Sequence, residues 1–73
     1  MMWNQKIFIE NLKWLRQMNH LTQEQLALKV SVSRGSITKW ENGKIEPTIE
    51  SIVKLADVFE ASVDELLGVK IVT

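Results

Sequence analysis

The chain has no cysteine, one histidine and one proline. Without cysteine it can form neither a disulfide nor a thiolate metal site, and a single histidine excludes a two-histidine zinc site. No metal and no cofactor is expected. Long apolar runs are missing too. Ile7-Phe8-Ile9, the longest near the N-terminus, ends at Glu10. A membrane span needs about 20 apolar residues, and a signal peptide needs a longer run than this. The expected setting is therefore the cytoplasm, with no membrane partner. The sequence holds no Gly-rich phosphate loop, no nucleophile at a telling distance from a base and no metal-ligand cluster, which argues against an enzyme. Glycine is scarce, at three residues, and no repeat, linker or low-complexity segment interrupts the chain.

What is present is one small domain's worth of globular composition: 73 residues, 45% hydrophobic and 25% charged. A core of this size is marginal, so capping or oligomerisation must supply the stability that a disulfide or metal would give elsewhere. Nine basic residues balance nine acidic ones, yet the balance is uneven along the chain. Residues 1–44 hold Lys6, Lys13, Arg16, Lys29, Arg34, Lys39 and Lys44 against Glu10, Glu24 and Glu41, a net charge of +4. Residues 45–73 are net −4. A chain polarised in this way can turn one positive face to a polyanion and stay soluble. The scattered carboxylates of the second part read as a solvated face.

Helical periodicity dominates. Thr22-Gln23-Glu24-Gln25 has the form of a capping box, with Leu21 and Leu26 at the staple positions. Ser33 caps the next helix, with Val32 and Ile37 repeating the staple. Thr48 follows Pro47 and opens a helix from Ile49 to about Glu60. Ser62-Val63-Asp64-Glu65 is a second capping box, and Gly68 is the expected stop. A first helix runs from a cap at Asn4 to about Asn19, with Phe8, Leu12 and Leu15 on its inner face. The prediction is an all-α, compact five-helix domain over residues 1–68, followed by a tail, 69–73. Between the second and third helices only Ser31-Val32-Ser33 is non-helical, and so short a turn forces the two helices to cross at a large angle. Leu26, Ala27 and Val30 face inward from one helix of this pair and Ile37 and Trp40 from the other, with Val32 plugging the turn. The helix-turn-helix covers about residues 22–41.

These elements, together with Thr22-Gln23-Glu24-Gln25-Leu26-Ala27, Trp40-Glu41-Asn42-Gly43-Lys44, the Leu-x-x-Leu-Arg run from Leu12 to Arg16, and Val63-Asp64-Glu65-Leu66-Leu67, resemble the lambda-repressor/Cro-like helix-turn-helix family from about Asn11 to Gly68. One departure is Ser31, where the family often has glycine because the residue tends to adopt positive φ.

The resemblance implies that the helix from about Ser33 to Glu41 enters the major groove of double-stranded DNA. Its outward residues, Arg34, Gly35, Ser36, Thr38 and Lys39, would then meet base edges. Arg34 is the foremost, since a guanidinium bridges guanine O6 and N7. Phosphate contacts fall to Gln23, in the first turn of its helix where free N–H groups and the dipole favour an anion, and to Asn42, Gly43 and Lys44, which resemble the family's backbone-clamping loop. That loop also ends a helix, and free amides there would serve both roles. The resemblance also implies a structural pair of Arg16 with Glu41. His20 is read as part of a helix end.

The implied function is a sequence-specific transcriptional regulator, a repressor acting as a homodimer on a near-palindromic operator. The alternative is a protein-interaction module, such as an antitoxin that binds a protein partner and its own promoter. A dimer surface is expected on the first helix, where Trp3, Ile7, Trp14 and Met18 form a second apolar stripe about 120° from the core stripe. The tail, with Ile71, would cover this stripe within one chain or across the dimer.

Overall fold

Each helix begins where a short polar side chain satisfies an otherwise orphaned amide. In the computed structural model, which describes residues 4–68, the helices are α1 (Gln5–Met18), α2 (Gln23–Val30), α3 (Arg34–Glu41), α4 (Ile49–Val58) and α5 (Val63–Leu67). The predicted caps are all in place. The Asn4 side chain accepts from Lys6 N–H at 2.9 Å, and Thr22, Ser33, Thr48 and Ser62 each accept from the amide three residues on. At α2 the capping box is complete, because Gln25 Oε1 takes the Thr22 N–H at 2.8 Å. At α5 it is half formed: Glu65 takes the Ser62 hydroxyl proton at 3.3 Å instead of the Ser62 amide.

The helix ends share one device. His20, Ser31, Gly43, Glu60 and Gly68 follow the last turns of α1 to α5 with φ of 56°, 59°, 73°, 54° and 69°. At the first four ends the next amide reaches back five residues: Leu21 to Arg16 at 3.1 Å, Val32 to Ala27 at 3.0 Å, Lys44 to Lys39 at 2.9 Å and Ala61 to Ala56 at 2.9 Å. This is the Schellman closure, which reverses the chain sharply and satisfies carbonyls that the helix leaves open. The closing residue is apolar at three of these ends, and Leu21, Val32 and Ala61 all pack on the core. Ser31 takes the left-handed conformation expected of it, and His20 closes α1 with its amide on Gln17 O at 3.0 Å. Helix α4 stops at Val58, two residues before the expected Glu60, because Phe59 turns inward as its cap and Glu60 adopts positive φ.

The core forms from Phe8 and Leu12 of α1, Leu26, Ala27 and Val30 of α2, Ile37 and Trp40 of α3, Ile52, Leu55 and Ala56 of α4, Phe59, and Leu66 and Leu67 of α5. Leu15 is only partly buried against it. Ala27 is 3% exposed, consistent with a helix crossing that leaves room for a methyl group. The end of α5 is pinned to α1: Asn11 Nδ2 donates to the carbonyls of Glu65 and Leu66 at 3.0 and 3.2 Å. A Cβ at Gly68 would also collide with the Ile7 side chain. Among the described residues no helix is long and apolar enough to cross a membrane. Trp3, Ile71 and the tail 69–73 lie outside the described residues.

Candidate nucleic-acid interface

Glu41, the last residue of α3, is buried, with 5% of its surface exposed. A buried carboxylate is stable only when paired and fully hydrogen-bonded. Arg16, from the last turn of α1, supplies that pairing with two parallel bonds, Nε to Oε2 at 2.7 Å and Nη2 to Oε1 at 3.1 Å. The remaining guanidinium nitrogen, Nη1, donates to Leu21 O at 2.9 Å, so the arginine is held where α1 closes. Gln23, at the start of α2, adds a third donor to Glu41, Nε2 to Oε1 at 3.1 Å. Its carbonyl accepts from Thr38 Oγ1 of α3 at 3.1 Å. One polar chain thus ties α1, α2 and α3 together, and among the described residues no buried side-chain polar atom lacks a partner. The sequence-based pair Arg16–Glu41 is present. The extension through Gln23 and Thr38 was not anticipated, because it joins residues 18 and 15 positions apart that meet only once the helices cross.

The lock fixes which face of α3 is turned outward. Ile37, Trp40 and Glu41 are buried, Arg34, Gly35 and Lys39 are exposed, and Ser36 and Thr38 are half-buried. Among the described residues the side chains of Arg34, Lys39 and Lys44 take no hydrogen bond or ion pair. The helix therefore presents unneutralised cations where the sequence placed base-contacting residues. A Cβ at Gly35 would meet only Ser33 Oγ, at an ordinary contact distance of 3.7 Å. Ser36 Oγ lies 3.0 Å from Ser33 Oγ at the helix cap. An open groove of about 380 Å³ separates the first turn of α2 from α3, lined by Arg16, Thr22, Gln23, Glu24 and Arg34. Gln23, read from the sequence as a phosphate contact, lines this groove with its side-chain amide engaged by Glu41 and Thr38.

The loop after α3 differs from expectation in one respect. Its amides are not free. Asn42 N–H donates to Thr38 O at 3.0 Å, Gly43 N–H to Trp40 O at 3.2 Å and Lys44 N–H to Lys39 O at 2.9 Å. The helix closure uses all three, which leaves the exposed side chains of Asn42 and Lys44 as the loop's donors.

The second apolar stripe of α1 is solvent-facing where it is described: Ile7 is 37% exposed, Trp14 59% and Met18 58%. Ile49 and Val53, one turn apart on α4, are also exposed, as is Ile45 in the loop before that helix, and periodicity did not single them out. Among the described residues no cluster of His, Asp or Glu could hold a metal ion.

The helix-turn-helix family profile matches residues 12–66. Over 61 residues the chain is 48% identical to the HTH-type transcriptional activator BcrR of Enterococcus faecalis, covering 84% of this chain and 30% of that protein. It is 42% identical to the cryptic phage CTXphi transcriptional repressor RstR of Vibrio cholerae, over 81% of this chain and 53% of that one. The chain thus spans about a third to a half of the length of these two relatives. Among solved structures it is similar to the P22 c2 repressor in complex with synthetic operator 9T, with a TM-score of 0.79 and 30% identity, over 84% of this chain and 92% of that one.

Proposed function

Because the chain belongs to the lambda-repressor/Cro-like helix-turn-helix family of transcriptional regulators, we propose that it is a sequence-specific repressor that binds double-stranded DNA as a homodimer. Residues 1–68 form the DNA-binding unit, 69–73 a tail, and the site of action is the cytoplasm. The observation that carries this reading is the outward face of α3. Arg34 and Lys39 are exposed and unpaired among the described residues, on a helix held by the buried Arg16–Glu41 bond. Placed in the major groove, the N-terminal part of α3 meets base edges. Arg34 donates to guanine O6 and N7, Gly35 allows close approach, and Ser36, Thr38 and Lys39 face the neighbouring bases or the strand.

Positioning on the phosphates falls to Gln23 at the start of α2 by its remaining side-chain N–H, and after α3 to the Asn42 side chain and the Lys44 charge, with Gly43 shaping the turn that presents them and donating nothing itself. One reading head of this size discriminates weakly alone, which favours a two-fold dimer on half-sites about 10 base pairs apart. The exposed α1 stripe, Ile7 and Trp14, is the proposed dimer surface, with Trp3 and Ile71 beside it in the sequence-based reading. A gel shift on the upstream region of the chain's own gene, at stated salt, tests the proposal. A retarded complex with two chains per duplex, competed by the same duplex and not by random DNA, is the expected result. Equal competition by both would contradict it.

A further inference from the structure

The sense of each hydrogen bond in the polar lock follows from the bond before it. Glu41, as a carboxylate, only accepts. Gln23 must therefore turn its NH2 group toward it, and does so at 3.1 Å. The Gln23 carbonyl then points the other way, to Thr38 Oγ1 at 3.1 Å, and a carbonyl only accepts. The hydroxyl's other protein neighbour is Arg34 O at 3.2 Å, again an acceptor. A threonine hydroxyl has one hydrogen. Both of its protein partners here require that hydrogen, so it is directed into the protein and the lone pairs are left unclaimed. Thr38 is half-buried and sits one helical turn beyond Arg34 on the same face of α3.

Resting on the DNA-binding role proposed above, we infer that Thr38 reads DNA as a hydrogen-bond acceptor only: it selects a base that offers an amino group in the major groove, adenine N6 or cytosine N4, and rejects guanine and thymine at that position. A free threonine or serine hydroxyl rotates to suit either kind of base edge. In this protein the chain from Arg16 through Glu41 and Gln23 removes that freedom. Gln23 is therefore a positioning residue, acting on the base through Thr38 without touching it. Arg34 has the opposite sense, since a guanidinium only donates. The two side chains together call for an acceptor edge and a donor edge within one half-site.

The test begins with duplexes selected from a randomised pool by the full chain. The base facing Thr38 is the one whose preference changes in Thr38→Val, a near-isosteric variant whose fold is checked by its melting curve. Replacing that base by its analogue lacking only the amino group, purine for adenine or 2-pyrimidinone for cytosine, should weaken wild-type binding about ten-fold and leave Thr38→Val indifferent. Gln23→Leu removes one of the two acceptors and leaves the hydroxyl only the Arg34 carbonyl at 3.2 Å, so its hydrogen becomes able to turn outward. It should narrow the gap between amino and carbonyl bases at this position to within about three-fold, with the guanine preference at the Arg34 position retained. A carbonyl base preferred by wild type, no position altered in Thr38→Val, or equal affinity for the amino and amino-free duplexes would each overturn the inference. If no duplex is enriched at all, the DNA-binding reading fails and this inference with it, a result distinct from enrichment without a Thr38 effect.

Discussion

The part of the chain that forms α1 to α3 is joined by a buried ion pair with amide and hydroxyl partners. In α4 and α5 the buried side chains are apolar throughout. The two ion pairs of the described residues mark the contrast. The side chains of Arg16 and Glu41 are 15% and 4% exposed and meet at 2.7 Å, whereas those of Lys54 and Glu50 are 46% and 79% exposed and meet at 3.4 Å. Apolar burial stabilises without fixing direction. A directional polar lock holds α3 in one orientation against α1 and α2, and that is the helix whose outer face carries free cations. The net charge follows the same division, positive through residue 44 and negative after it.

The largest effect expected from this contrast is on stability. Glu41→Ala leaves the Arg16 guanidinium stranded in a mostly buried site, at a cost of roughly 3–5 kcal/mol. Glu50→Ala removes a solvent-exposed partner and should cost below about 0.5 kcal/mol. Urea denaturation of both variants checks this, and similar midpoints would erase the distinction between the two pairs. The double variant Arg16→Met with Glu41→Leu should recover much of the stability lost in Glu41→Ala, since no charge is then left unpaired, but it should bind DNA less selectively.

Next in size is base reading. Arg34→Ala should cost about 1–3 kcal/mol at the selected operator and leave the melting temperature unchanged, because its side chain has no partner among the described residues. An equal loss on random DNA would assign Arg34 to the phosphates.

A smaller effect sharpens the comparison by showing what the two parts share. Ser31→Gly, between α2 and α3, and Glu60→Gly, after α4, each relieve a left-handed residue and should raise stability by about 1 kcal/mol. A clear gain at one end and a loss at the other would mean that the closures are not equivalent. The smallest expected change is at Lys44. Lys44→Ala should flatten the dependence of log affinity on log salt by about 0.9, with base preferences unaltered.

Much of this was legible in the sequence because it is written locally. Thr22, Ser33, Thr48 and Ser62 cap the helices that periodicity outlined, and Ser31 takes the positive φ that the family resemblance implied for its position. Arg16 and Glu41 were paired through resemblance, since nothing in their spacing brings them together. The Gln23–Thr38 link was not legible, because it depends on a crossing between two helices that each read as ordinary amphipathic segments. The amides of residues 42–44 were read as free, whereas the left-handed Gly43 turns them back onto α3. The exposed Ile45, Ile49 and Val53 were missed for a related reason. Ile49 and Val53 lie one turn apart on α4, as core residues would, and only the packing of Ile52, Leu55 and Ala56 shows which stripe faces inward.

That α3 reads bases from the major groove is tested most directly by dimethyl sulfate probing of the selected operator, which reports guanine N7 in the major groove and adenine N3 in the minor groove. Protection of guanine N7 in both half-sites, lost at one guanine per half-site in Arg34→Ala, is the predicted result. Guanines that stay reactive in the complex while adenine N3 is protected would contradict it.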